Sequence, residues 1–334
     1  MTEEALKEMF VADVRNNYSF PSLYSLDPRT ATVVDVERCL EAGADINEKD
    51  KSGSDFKNVV NYYAYVSDNV QVVDYLCEHG AVPDSEIFSY GIGILLSSVD
   101  SMEMFDILLK HGVDINDQDC EGENALEDLI CREDADIVRH VLEKGADPSA
   151  RVFYSPGLFV AEKAMKICKN PEILEILIKS GGTYRKSFML KYLSRNNDLK
   201  KALILRETGR FSDNELFTAL STKYSEAFLY FSKLDIDVNY RARALKGTTP
   251  LIEAMSANDT EVIKWLTERG AEVTPELFFD VLKRGNFFAV DVLLKNGMDP
   301  KKNPRLLELA REYKNFKIVE LLMKAMADTN KGKA

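Results

Sequence analysis

The sequence predicts an all-α fold, a solenoid of stacked helix–turn–helix units. Three observations lead there. An amphipathic segment recurs along most of the 334 residues with its apolar groups at helical spacing. A glycine, or a residue standing in for it, follows each copy. The interval between copies, 26 to 37 residues, suits helix pairs that bury their apolar faces only against neighbouring pairs.

The repeating segment reads VERCLEAGAD, VDYLCEHGAV, FDILLKHGVD, VRHVLEKGAD, LEILIKSGGT, IKWLTERGAE, VDVLLKNGMD and VELLMKAMAD. Apolar residues seven, four and usually three places before the glycine slot form one stripe on a helix. Glycine directly after the stripe ends a helix with a left-handed residue, which other residues adopt only at a steric cost. Two weaker copies end at Gly209 and at Asp235, so the slots fall at 43, 80, 112, 145, 181, 209, 235, 270, 297 and 326.

Beyond the slot the chain is regular too. GADINEKDKSG (Gly43 to Gly53) aligns without a gap on GVDINDQDCEG (Gly112 to Gly122), and DIDVNYRARALKG (Asp235 to Gly247) adds two residues. TTPLIEAMSAND follows, where Thr249 can cap a helix whose first turn holds Pro250. These features resemble the ankyrin repeat, whose T-P-L-H-x-A and G-A-D-V-N signatures are met at Thr249, Pro250, Leu251 and Ala254, and at Gly43 to Asn47. Ile252 replaces the motif's histidine, and most units lack the T-P-L tetrad. The resemblance implies an ankyrin-repeat solenoid of about ten units over residues 33–328, one continuous domain, with an irregular cap at 1–32 and a disordered tail at 329–334. Long units leave room for short β-hairpin fingers near 45–54, 114–123, 147–156 and 237–248, while short ones predict tight turns around 183, 211, 274 and 300.

One stretch suggests a metal loop instead. From Asp117, with Asp119, Glu121, Gly122 and Asp128, the chain approaches the acidic calcium-loop pattern, although the last residue is an Asp where a bidentate Glu is wanted. Its gapless counterpart carries Lys49 and Lys51 at matching positions, and a hairpin turn favours Asp and Gly on its own. A finger, with no metal, is the expectation.

Composition narrows the function. With 45% hydrophobic residues the chain can sustain a packed core, and no 18-residue apolar run occurs. The start, MTEEALKEMFVADVRNN, is acidic and amphipathic and lacks the regions of a signal peptide, so a cytoplasmic location is expected. Five cysteines without a C-x-x-C pair suit free thiols in a reducing compartment. Net charge is −12, unevenly spread: residues 1–150 carry 32 acidic against 11 basic side chains, and residues 151–334 carry 23 against 32. That distribution argues against a uniformly basic nucleic-acid binder.

Catalytic patterns are not met. His79 and His111 precede a terminal glycine, where they favour the helix C-terminus, and His140 lies within a helix. YGIGIL (Tyr90 to Leu95) lacks the third glycine of a dinucleotide fingerprint, and no phosphate-binding loop, nucleophile elbow or zinc ligand set occurs. Cys39 and Cys77 read as buried small hydrophobes. The expectation is a non-enzymatic scaffold or adaptor with no cofactor.

The resemblance implies binding of a protein partner through the concave face of the first helices and the fingers. Candidate contacts are Tyr62, Tyr63 and Tyr65, the acidic finger Asp117, Asp119, Glu121 and Glu123, and the basic finger Tyr240, Arg241, Arg243 and Lys246. An alternative is salt-sensitive binding of a phosphate-rich or anionic ligand, nucleic acid or membrane surface, by the basic C-terminal half, since residues 185–246 hold 13 Lys/Arg against 7 Asp/Glu. A third is charge-driven self-association.

Overall fold

The computed structural model describes residues 22–49, 56–87, 95–99, 101–152, 157–295 and 298–328. The N-terminal amphipathic stretch, residues 90–94 of YGIGIL, Gly297 and the tail 329–334 lie outside them. Among the described residues there are nineteen α-helices, four short 3-10 helices, and β-structure only as isolated bridges. The chain divides into two compact units, residues 1–183 and 184–334.

In the first unit, α1 (Val33–Glu41) precedes four helix pairs: α2 (Val59–Val66) with α3 (Val70–Glu78), α4 (Leu95–Ser98) with α5 (Met102–Lys110), α6 (Ala125–Leu129) with α7 (Ala135–Glu143), and α8 (Val160–Ile167) with α9 (Pro171–Lys179). First helices pack on first helices, α2 on α4 and α4 on α6. Second helices pack on second, α1 on α3, α3 on α5 and α7 on α9. The predicted stripes supply the core, through Val36 and Cys39, Val73 and Leu76, Phe105 and Leu108, and Val138 and Val141. Polar side chains start the helices by accepting the N–H groups that an N-terminus leaves over: Thr32 for α1, Asn58 for α2, Asn69 for α3, Ser101 for α5, Asn124 for α6 and Asp134 for α7.

All five second-position helices of this unit, α1 included, stop the same way. Gly43, Gly80, Gly112, Gly145 and Gly181 have φ between +94° and +103°. The next N–H then turns back into the helix: Ala44 N donates to Cys39 O at 3.0 Å, Val113 N to Leu108 O at 3.1 Å and Ala146 N to Val141 O at 3.0 Å. Gly182 has a different reason to be glycine, because a Cβ there would lie 2.7 Å from Leu177 O and 2.9 Å from Pro148 O.

The D-x-N that follows the slot does two jobs. The aspartate folds the turn, Asp45 Oδ1 accepting from Asn47 N at 2.9 Å and Asp114 Oδ1 from Asn116 N at 2.9 Å. The asparagine then grips the following repeat. Asn116 Nδ2 donates to Gly145 O at 3.0 Å while its Oδ1 accepts from Asp147 N at 2.8 Å. In the second unit Asn239 repeats this on Gly270 O at 3.1 Å and Glu272 N at 2.8 Å.

That second unit holds five pairs: α10 (Lys186–Asn196) with α11 (Leu199–Glu207), α12 (Asp213–Leu220) with α13 (Glu226–Phe231), α14 (Pro250–Ala257) with α15 (Thr260–Thr267), α16 (Pro275–Arg284) with α17 (Phe287–Lys295), and α18 (Arg305–Glu312) with α19 (Phe316–Asp328). Thr249 caps α14 with Pro250 in its first turn, and Thr274 and Pro275 do the same for α16, as expected from the sequence. The tight turns also appear, Ser212 capping α12 soon after Gly209 and a 3-10 turn at Pro300–Lys302 preceding α18.

Two slots behave differently. At Asp235 there is no left-handed residue; α13 already ends at Phe231 and Leu234 N donates to Phe231 O at 3.1 Å, since a Cβ disfavours the glycine conformation and the chain leaves the helix earlier. At Met326 the helix does not stop, because Ala-Met-Ala favours helix and α19 runs through to Asp328. A second left-handed position, unforeseen from the sequence, separates first from second helices at Glu133, Asn197, Asn258, Gly285 and Lys314.

The fingers are minimal. Each is closed by a single antiparallel bridge, Gln118 to Asn124, Arg151 to Phe159 and Ala242 to Thr248. Residues 50–54 of the first expected finger and 153–156 of the third lie outside the described residues.

Candidate protein-interaction surface

The acidic finger is a turn built by one of its own carboxylates. Asp119 is only 6% exposed, and its Oδ1 accepts from Glu121 N at 2.9 Å and Glu123 N at 3.0 Å. This aspartate therefore faces inward, a correction to its expected place among surface contacts, and its committed oxygen makes the stretch a turn. Asp117 is exposed and accepts Ser85 Oγ–H at 2.6 Å, which ties the finger to the connection before α4. Glu121 and Glu123 are half-buried. Burial, reinforced by the Asp128 and Glu127 carboxylates, pushes the Glu123 carboxyl up from its ordinary value.

The tyrosines of α2 divide. Tyr63 is wholly buried, its hydroxyl donating to Leu23 O at 3.1 Å, and burial raises its pKa. It fills the core and cannot meet a partner, the second correction. Tyr62 is half-buried in an aromatic cluster, its ring 5.1 Å from Tyr24 and 5.2 Å from Phe56. Tyr65 is 45% exposed with its ring 5.6 Å from Phe56, so it alone of the three presents a broad face.

In the second unit the basic finger carries Arg241, Arg243 and Lys246 exposed, with Tyr240 half-buried. Ala242 N donates to Thr248 O at 2.9 Å, and the left-handed Lys246, φ +63°, closes the loop. Much of the remaining positive charge of residues 185–246 is already engaged. Lys186 meets Glu215 at 3.1 Å and lies 5.1 Å over the Phe211 ring, and Arg206 holds both oxygens of Asp213 at 2.6 and 3.1 Å. Lys201 is 3% exposed against Tyr192, while Arg185 and Arg210 stack on Phe188 and Tyr184. Among the described residues, Arg241, Arg243 and Lys246 have no ion pair and no ring partner.

The histidines brace neighbouring second helices. His111 Nε2 lies 2.6 Å from Asp74 Oδ1 and His140 Nε2 2.8 Å from Asp106 Oδ1, each aspartate also meeting a lysine, Lys110 at 2.7 Å and Lys144 at 2.8 Å. Lys110, then His111, hold the Asp74 carboxyl below its ordinary value. For Asp106, burial pulls upward but Lys144 and His140 outweigh it. His79 is the C-cap of α3 and stacks on Tyr75 at 3.9 Å. Burial pushes the thiols of Cys39 and Cys77 up to about 11 and about 12, as befits inert packing groups.

Comparison with known proteins agrees with this architecture. The ankyrin-repeat family model matches residues 246–275, the basic finger's end through α14 and α15 to the start of α16. A fowlpox virus (strain NVSL) protein named for its ankyrin repeats is 27% identical over 147 residues, 43% of this chain. Both matches support an ankyrin-repeat protein. The chain spans 62% of that relative's own length. The first helices and fingers position the exposed candidates, Tyr65 and Asp117 in the first unit and the three finger cations in the second, with Glu121 and Glu123 half-buried beside Asp117. No helix of the described residues is long and apolar enough to cross a membrane.

Proposed function

We propose that this ankyrin-repeat protein is a non-enzymatic interaction scaffold that binds a protein partner through its first-helix faces and fingers, its repeats forming one continuous array over residues 33–328. Ankyrin repeats generally mediate protein–protein interaction. One observation carries the reading here: the fingers project charged side chains that the fold does not use, above all Arg241, Arg243 and Lys246. The proposed contacts are those three with Tyr240, and Tyr65, Tyr62, Asp117, Glu121 and Glu123. Cytoplasmic location belongs to the same proposal. Charged fingers govern association rate and specificity more than affinity.

The test is affinity capture by the intact chain with two charge-reversal variants, Asp117→Lys with Glu121→Lys, and Arg241→Glu with Arg243→Glu. Loss of a specific captured protein in either variant supports the reading. An unchanged set in both, with both variants folded, sinks it. Capture of nucleic acid with a steep salt slope would instead favour the anionic-ligand alternative, which the engagement of Lys186, Lys201 and Arg206 disfavours. Salt-dependent oligomers in light scattering would point to self-association.

A further inference from the structure

We infer that the second unit holds a notch for an extended, acidic peptide segment of the partner. The inference rests on the protein-interaction reading and names the chemistry one part of that surface accepts.

The notch follows from unequal repeats. Finger 237–248 stands beside α14, but after Gly270 the chain enters α16 at Pro275 with no finger between. A projecting loop beside a short connection leaves a step, and this one encloses about 340 Å³. Its floor is aliphatic, Ile252 and Leu277. Asn239 and Arg241 form the finger wall, Glu272 and Thr274 the other.

Several groups in these walls are already occupied. Asn239 is spent on Gly270 O and Glu272 N, and Thr274 Oγ1 accepts from Leu277 N at 3.3 Å. The exposed side chains left for a ligand are the Arg241 guanidinium and the Glu272 carboxylate, neither ion-paired among the described residues. Arg243 and Lys246 add two more cations to the finger, so the field favours an anion.

Size and floor decide which anion. A cleft at the low end of the roughly 300–1,000 Å³ range of ligand pockets admits a few residues of extended chain. Nucleic acid would want aromatic faces for its bases, and the residues lining the notch include none. An aliphatic floor beneath a guanidinium suits a peptide whose alternate side chains are apolar and acidic, the carboxylate taken by Arg241 as a forked pair. Glu272 then selects a hydrogen-bond donor next to that carboxylate.

The probe is a fluorescein-labelled octapeptide, four Glu-Leu repeats, titrated against the full chain by anisotropy, with four Lys-Leu repeats and an oligo-dT strand as comparators. The acidic peptide should bind roughly tenfold tighter than the basic one. Arg241→Glu should weaken it about fivefold, and Glu272→Lys should tighten it by about threefold. Both positions are exposed, so both variants should melt with the parent. Equal affinity for the two peptides, tighter binding of oligo-dT, no binding of the acidic peptide, or indifference to both substitutions overturns the notch. If the peptide result fails while reversal at Asp117 and Glu121 still removes a captured protein, the notch alone falls and the interaction reading stands.

Discussion

Removing the ammonium of Lys163 should be among the most damaging single changes in the first unit. Glu127 on α6 is completely buried, and Lys163 on α8 meets its Oε1 at 2.8 Å and also reaches its carbonyl oxygen at 3.4 Å. At 2.8 Å and an effective dielectric of about 20, the gross attraction is roughly 6 kcal/mol. Desolvation of both charges offsets most of that, so the pair itself adds little net stability. The asymmetry appears on breaking it. Lys163→Met takes a cation away from this buried carboxylate and should cost about 3–5 kcal/mol. For a unit of this size each kcal/mol lowers Tm by about 2–4 °C. Urea denaturation and thermal melts followed by circular dichroism read both quantities. The double variant Glu127→Leu with Lys163→Met should recover most of the loss, because both charges of the pair are then gone. A Lys163→Met chain that melts with the parent, or a double variant in which the two losses simply add, would refute this reasoning.

Three further outcomes are expected. Gly112→Ala should cost about 1–2 kcal/mol in urea denaturation purely through backbone strain, since φ is +95° and no atom lies within 4 Å of the added methyl. Asn116→Ala should cost about 1 kcal/mol and speed hydrogen exchange at the Asp147 amide, which Asn116 Oδ1 holds at 2.8 Å. With pH, the depressed carboxylates of Asp74 and Asp106 contribute stability that is present above their ordinary pKa of 3.8 and lost as pH falls through their lower folded values. Replacing both by Asn should therefore lower Tm at neutral pH and flatten its acid limb, as melts at a series of pH values would show.

Most of the fold was legible because its signals are local. Apolar spacing, capping residues and the glycine slot each report on a few consecutive positions, and they located the second helices and the starts at Thr249 and Thr274. Asp235 and Met326 misled because they were aligned by position, whereas the stop depends on glycine's missing Cβ. The second left-handed position escaped notice because Glu133, Asn197, Asn258, Gly285 and Lys314 share no side-chain type. The Asp or Asn that follows each, at 134, 198, 259, 286 and 315, was the usable signal. The candidate surface was legible only in part. Tyr63 and Asp119 look like surface residues in sequence, one hydroxylated and one charged, yet Leu23 O and the amides of Glu121 and Glu123 satisfy them inside. Glu272 and Leu277 carried no motif. Their proximity to Arg241 arises from a 35-residue interval followed by one of 27, a step visible in the spacings.

The grip of Asn116 and Asn239 on the succeeding repeat touches nothing but peptide groups. Such a fastener is blind to what it fastens, so its two neighbours are aligned to within a hydrogen-bond length whatever side chains they bear. Helix surfaces on either side can then be rewritten to suit a new target without disturbing the spacing that presents them, which makes Asn116 and Asn239 the positions to leave untouched in any redesign.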